Sequence, residues 1–556
     1  MRRAFSFLTV ALWIGVMAVV VHRSYIHASG SLATDLARYG SSAQWRGVYY
    51  RGEKVGFTVS QTVPAGEGES AGDLELQEDG QLQMSLLGAH TVTKIRTTAR
   101  VNRSFELQSF TFALDPGTGP ITIIGEVVDA GGARLKSRTT ELRVVITTGG
   151  RTRSEVLRLP ERPMLGLNLV RRLAEKGLTT GSRHRWSVFD PATLRNAPVQ
   201  VTVGPREVVR AANLPVPAFR VEMEFSGVRT TSWITDTGEV IREESPLGFI
   251  TVREAADRAQ ALAVPGQIRQ DILEASAVVP QIAPGVPPIG DPRDVRRLRI
   301  RVDAADLSTP DVIGVGQHVE QNIVEIIDAQ RLGPATGDTN LARYLAPEPF
   351  IESDDPDIRA AAEEAVRDVR GSKSRAEALT RYVSSTLQKK PTVSLPSARE
   401  VLRTKIGDCN EHTALFVAMA RSIGIPARIA VGLAFVRGAF YYHAWPEVYL
   451  AESTDRGFWL PVDPTFNQFP ADSTHVRLAR GGLDKQAAII PMIGRIKITV
   501  LDVVVAPGST PILVGQAANG VRPLFSPDGD EFSEKRGLTP SGASRWCLPC
   551  FLGRHR

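Results

Sequence analysis

Apolar and polar residues alternate along the first half of the chain, and recur at helical spacing mainly in the second. Val48 and Tyr50, then Val55, Phe57 and Val59, alternate on either side of the turn Arg51-Gly52-Glu53-Lys54. That is the period of a β-hairpin with one buried face. Strand-length stretches at 92–101, 105–113, 121–128, 141–147, 199–203 and 219–225 are separated by Gly, Asp and Pro, and a second hairpin turns at 236–238. Residues 31–252 are therefore predicted to form an antiparallel β-rich domain, as a meander, half-barrel or sandwich.

The pattern changes after that point. Residues 253–275 read as a helix broken at Pro265-Gly266, and 279–292 as a Pro- and Gly-rich linker without packed structure, so 253–293 is a connector. Strands follow at 298–302 and 319–327. Ser353, Asp354 and Asp355 are candidate caps for a helix starting near Pro356. Its residues Ile358, Ala361, Ala362, Ala365, Val366 and Val369 form one apolar stripe. Further helices are expected at 374–387, 397–402 and 410–423, the last stopped by Gly424. Strands at 426–433, 440–450 and 458–462 come next, with a closing strand at 496–501. Runs of helices followed by runs of strands make this an α+β unit, assigned to 294–505, with 506–556 as a C-terminal tail.

The N-terminus has its own pattern. Arg2 and Arg3 precede an uncharged, mostly apolar run of 18 residues at 4–21, which ends at His22 and Arg23. As a helix it would span about 27 Å, close to a ~30 Å hydrocarbon core. The run is longer than the roughly 7–15 apolar residues of a cleaved signal peptide, and Val19-Val20-Val21-His22 offers no small-residue cleavage site. Residues 1–30 are read as an uncleaved transmembrane anchor, with the positive N-terminus cytoplasmic and the rest exported. In a bacterium this means a single-pass inner-membrane protein whose C-terminal half faces the periplasm.

Composition narrows the function classes. The chain of 556 residues is 42% hydrophobic and 23% charged, which permits large cores and argues against global disorder. Its 66 basic and 60 acidic residues leave a net charge of +6 without a concentrated basic stripe, so no nucleic-acid partner is expected. Three cysteines, Cys409, Cys547 and Cys550, exclude a disulfide-stapled scaffold. The pair Cys547-Leu548-Pro549-Cys550 is followed by only six residues, too few for the helix that a redox pair of this spacing needs. His555 alone does not complete a zinc site with it. No metal or cofactor is expected.

The candidate chemistry lies in three short segments: Gly407-Asp408-Cys409-Asn410-Glu411-His412, His443-Ala444-Trp445 and Val462-Asp463-Pro464. Cys409 opens a predicted helix, where backbone N–H groups and the dipole favour an anion. A histidine partner there lowers a thiol from ~8.5 to roughly 3.5–7.5. Taken singly, each residue has a plainer reading: a buried small hydrophobe, a structural strand histidine, a turn aspartate. Order and spacing argue otherwise, with 34 positions from Cys409 to His443 and 20 from His443 to Asp463. Helix, strand and strand in that succession would set a nucleophile, a base and an orienting carboxylate in a row. Asp408 and Glu411 are expected to cap the helix, and Trp445 to pack beneath His443. His412 competes as the base but has no carboxylate motif to serve it.

Three of these stretches, Gly407-Asp408-Cys409, His443-Ala444-Trp445-Pro446-Glu447-Val448 and Val462-Asp463-Pro464-Thr465, resemble the motifs of the transglutaminase-like superfamily. Gly424-Ile425-Pro426-Ala427-Arg428 is in keeping with it, and the resemblance is strongest over 354–466. It implies a papain-like core with Cys409 as nucleophile, His443 as base and Asp463 fixing the imidazole. The implied activity is thiol-dependent acyl transfer on protein or peptide amides. The motifs leave open a peptidase or amidase, a cross-linking transglutaminase, and a non-catalytic peptide-binding envelope scaffold; hydrolysis is the expectation. The calcium sites of animal transglutaminases are not recognisable, so calcium dependence is not carried over.

Overall fold

The computed structural model describes residues 36–507, apart from 66–72, 129–139 and shorter internal stretches. The expected anchor at 1–30 and the pair Cys547 and Cys550 lie outside the described residues. Among the described residues no helix is long and apolar enough to cross a membrane.

Fourteen strands between Gln44 and Glu254 form one antiparallel sheet. Eight run as a meander from Gln44–Tyr50 out to Arg151–Leu159. The chain then passes through the helix Gly166–Glu175 to the opposite edge at Arg183–Asp190 and returns strand by strand, until Phe249–Glu254 pairs with Gln44–Tyr50. The first hairpin has the expected turn, with Arg51 and Gly52 both at positive φ. Leu169 and Leu173 of the helix share a core with Val199, Val201, Val221 and Ile234. Four strands escaped the alternation pattern: Leu74–Leu86, Phe249–Glu254, Arg151–Leu159 and Arg183–Asp190. The last two are sheet edges rich in arginine, and the first carries Glu, Gln and Asp; pairing with an apolar neighbour outweighs such composition.

The connector differs from the expectation of an unpacked linker. Among the described residues two short helices form there, Ala256–Gln260 and Ile272–Ser276. Val278 exchanges backbone hydrogen bonds of 2.8 Å in both directions with Phe440, and Gln281–Ile282 pairs in parallel with Lys497–Val505. An open strand edge offers unpaired N–H and C=O groups to any extended segment that lies beside it. Lys497–Val505 is also the closing strand, joined to Val295–Asp303 in a second, five-stranded sheet with the hairpin Gln317–Glu320 and Ile323–Ile327.

The elements that build the site come last, and only these are labelled. Helices α1 (Pro356–Ala365), α2 (Ser372–Thr386), α3 (Ala398–Thr404) and α4 (Cys409–Ser422) surround one face of strands β1 (Ala427–Val436), β2 (Ala439–Ala451), β3 (Arg456–Pro461) and β4 (His475–Arg480). The sheet order is Ala335–Thr336, β3, β2, β1, β4, antiparallel throughout. Helix α4 is buried all round, with Leu415, Phe416, Val417 and Met419 wholly inaccessible. A helix without a polar face belongs at the centre of a core, and α4 packs against α1, α2, α3, β1 and β2. Asp355 caps α1 as expected, accepting from the N–H groups of Asp357 and Ile358. The same carboxylate takes Arg399 of α3 at 2.8 Å and Arg151 of the large sheet at 2.9 Å. Phe350 and Leu395 complete the apolar core around Leu107 and Phe110 of the large sheet, so the two halves are packed together.

A buried charge cluster ties the site strands. Glu447 on β2 is fully buried and meets Arg428 on β1 at 2.7 Å, with Arg477 at 2.8 Å and Arg480 at 3.2 Å on β4. Burial disfavours its charge, but the three guanidinium groups prevail and hold its carboxyl at about 2. Truncating it would strand three cations in or beside a low-dielectric interior, a loss of about 3–5 kcal/mol. Glu447→Ala is therefore expected to lower the unfolding midpoint by at least several degrees, as measured by thermal melts monitored by circular dichroism.

Candidate active site

The approach to Cys409 is set by a helix cap. Asp408 is the N-cap of α4 and accepts from the N–H of Asn410 at 3.0 Å, while Glu411 reaches back to the N–H of Asp408 at 2.9 Å. This capping box folds Glu411 over Gly407, and a Cβ on Gly407 would collide with the Glu411 side chain. Glycine before Asp-Cys is thus a steric requirement. Ser394 donates to the other Glu411 oxygen. Asp408 and Glu411 cap the helix as expected.

Cys409, the first residue of α4, is half-buried. The backbone N–H of Ala444 donates to its sulfur, and Thr413 of α4 donates to the Ala444 carbonyl at 3.1 Å. Both bonds dock the start of α4 against β2 at the residue after His443. Burial pushes the Cys409 thiol well above its ordinary range, Asp408 and Glu411 push it further, and the Ala444 amide opposes them. The expectation of a thiol lowered by the helix N-terminus does not describe this resting state. The carboxylates of the capping box sit at the same helix end, and together with burial they oppose a thiolate there. A base is needed to take its proton.

His443 lies on β2, buried, with its Nε2 2.8 Å from Oδ2 of Asp463. Phe466 stacks on the imidazole at 4.8 Å between ring centres and Trp445 at 6.1 Å, fixing the plane of the ring. Trp445 was anticipated in that role; Phe466 was not. Asp463 follows β3 and is completely buried. Its other oxygen, Oδ1, accepts from the N–H of Thr465 at 2.7 Å and of Phe466 at 3.1 Å, the Asx turn that Asp-Pro favours. Burial disfavours the Asp463 anion, but His443 and His475 outweigh it and hold the carboxyl far below the usual range.

His475 is the residue that sequence reasoning missed. It begins β4, is buried, and sets Nε2 3.1 Å from the same Asp463 Oδ2. Its Nδ1 lies 3.1 Å from the carbonyl and 3.2 Å from Oδ1 of Asp472. Burial works against its charge, and Asp472 with Asp463 reverses that and raises it to about 10. Asp472 itself is held at about 2: burial raises it, and His475 and Thr474 bring it down. The only local signal was the run Asp472-Ser473-Thr474-His475, which has no helical or strand period of its own. His412, the competing base, is wholly buried and places Nδ1 2.6 Å from the Asp408 carbonyl. Burial lowers it to about 4, so it stays neutral, bonded to a carbonyl instead of a carboxylate.

The donor atoms of His443, Asp463 and His475 lie within 4.8 Å of one another, close enough to invite a cation. Their hydrogen bonds argue for a different use. Oδ2 already accepts from both rings, and the far side of His475 is committed to Asp472. A metal would have to displace both imidazole contacts on Oδ2 to bind.

Residues 359–464 match the family model of the Transglutaminase-like superfamily core. No curated protein matches the chain. Among solved structures the chain is similar to a cysteine protease candidate from Cytophaga hutchinsonii, at 16% identity over 39% of this chain and 91% of that one, TM-score 0.25. It is also similar to a β-barrel-like protein of a domain of unknown function from Brucella abortus, at 13% identity over 38% and 96%, TM-score 0.28. A third is the periplasmic domain of TgpA from Pseudomonas aeruginosa, at 19% identity over 33% and 74%, TM-score 0.21.

The pH dependence of stability follows from the caged histidine. An imidazole titrates near ~6.5 when unfolded and His475 near about 10 when folded. Its protonated form therefore contributes stability in full below ~6.5, and the contribution is lost as pH rises toward 10. Unfolding midpoints measured from pH 6 to 10 are expected to fall, and in Asp472→Asn, which removes one side of the cage, the alkaline decline is expected to flatten.

Proposed function

We propose that this chain, whose residues 359–464 belong to the transglutaminase-like superfamily, is a thiol-dependent acyltransferase on protein or peptide amides, acting as a peptidase or amidase. The observation that carries the reading is the buried His443–Asp463 pair at 2.8 Å, on the strand whose next residue holds the Cys409 sulfur. Asp463 engages Nε2 of His443, which leaves Nδ1 for the thiol. His443 takes the proton from Sγ as the sulfur attacks the amide carbon, and the backbone N–H of Cys409, at the start of α4, is offered to the developing oxyanion. The same proton then passes to the leaving amine. Water, deprotonated by His443, cleaves the thioester and restores the thiol. Asp463 stays ionised throughout, orienting the ring and balancing the imidazolium.

Starting from a neutral thiol suits this order of events. Capture of the thioester by an amine in place of water would make the same site a transglutaminase. Location in the cell envelope, with the apolar run at 4–21 as membrane anchor and the site on the periplasmic side, is part of the same proposal.

With a peptide library as substrate, the full-length protein is expected to release new amines and carboxylates. Cys409→Ala and His443→Ala are expected to abolish release, and Asp463→Asn to reduce it by roughly 10⁴ with the fold retained, since the amide presents the wrong partner to the ring. Mass spectrometry of the products with and without a primary amine reads both outcomes. Hydrolysis persisting in Cys409→Ala would end the proposal, and amine-linked products would move it to cross-linking.

A further inference from the structure

The site holds one more ionisable group than its proposed chemistry uses. His475 has acceptors on both ring nitrogens: Oδ2 of Asp463 at Nε2, and the carbonyl and Oδ1 of Asp472 at Nδ1. A neutral imidazole has one N–H and would face one acceptor with a lone pair. Contacts of 3.1 and 3.2 Å on opposite sides of a buried ring call for a proton on each nitrogen. Asp472 cannot easily turn away. Its Oδ1 also accepts from the N–H of Thr474 at 2.9 Å and the Thr474 hydroxyl at 2.6 Å. Gln468 donates to its Oδ2 at 2.7 Å and accepts from its backbone N–H at 2.9 Å. Gln468 in turn exchanges backbone hydrogen bonds with Asp463 at 2.8 and 2.9 Å, so the loop 463–472 closes on itself.

Other groups around the ring leave this assignment standing. His443 lies 5.6 Å away between ring centres, and Trp445 and Phe466 present apolar rings at 5.1 and 6.5 Å. Arg477, two residues along β4, is engaged by Glu447 and by the carbonyls of Asp311 and Val312. Gln317 is bonded to Val312 and Arg477.

We propose that His475 is a positioning residue, a standing imidazolium held between Asp463 and Asp472 that keeps the Asp463 carboxylate ionised and aims its Oδ2 at His443. The proposal deepens the acyl-transfer reading and rests on it. With two backbone N–H groups on Oδ1 and two rings on Oδ2, the carboxylate has no rotational freedom, so His443 has a fixed tautomer before substrate arrives. The extra cation has a second effect. It lowers the net negative charge beside the sulfur, where Asp408, Glu411 and Asp463 all oppose a thiolate.

The test needs no substrate, because iodoacetamide alkylation of Cys409 reads thiolate formation directly. The full-length protein is alkylated across pH 5–10, with labelling at Cys409 quantified by mass spectrometry. His443→Ala serves as the check on the acyl-transfer reading: if it leaves the profile unchanged, that reading fails, whatever His475 does. If His443→Ala suppresses labelling near neutrality, His475→Gln is expected to slow it by about 10-fold there and to move its midpoint to higher pH by about one unit. The shift is upward because a cation is lost near the forming anion. A His475→Gln profile that overlays the native one would overturn the proposal. Should that variant not fold, ¹⁵N-histidine NMR of the native protein decides. One ring is expected to keep both nitrogens protonated at pH 8, and in Asp472→Asn to titrate in the ordinary range. Absence of such a ring in the native protein would overturn the proposal equally.

Discussion

The structure around the site depends on how one buried carboxylate is satisfied. Asp463 has no exposed surface, and an isolated anion there would neutralise itself instead of staying charged. Four hydrogen bonds prevent this: two from the backbone of its own turn and two from imidazoles on β2 and β4. Each donor brings a separate element into place. The turn ends β3, His443 fixes β2, and His475 fixes the start of β4, so the carboxylate acts as the knot of the sheet as well as the third member of a proposed triad.

The helix side is held by a different device. The capping box of Asp408 and Glu411 starts α4 at Cys409, and Thr413 and the cysteine sulfur both bind the backbone of Ala444. Cysteine and histidine are thereby placed through adjacent backbone contacts and not through long side chains. Glu447 and its three arginines brace the same strands from within the sheet. These braces matter because a reacting pair misplaced by about 1 Å can lose on the order of 10² in rate.

Much of this was legible in the sequence, and what was not has a physical reason. The strand at Ile121–Val128 was anticipated to the residue, because its alternation serves a sheet with one buried face. Helix α4 was legible from Gly407, Asp408 and Gly424, the residues that begin and end it. Cys409, His443 and Asp463 stood out because each sits in a distinctive local motif. His475 did not, since its partners Asp463 and Asp472 are set by a loop whose course only the folded chain reveals. The connector failed for a related reason: the Pro and Gly content of 279–292 predicts poor packing, but the edge of Lys497–Val505 was waiting for a partner.

The central claim is that a neutral, half-buried thiol on α4 becomes a nucleophile through His443. A peptide vinyl-sulfone probe tests it most directly, by covalent labelling of Cys409 in the full-length protein near neutral pH. Labelling that disappears in His443→Ala, with the thermal melt of that variant intact, is the result expected here. Equal labelling of the native protein and His443→Ala would mean that the imidazole does nothing for the sulfur, and the pair would be a structural feature of a peptide-binding scaffold.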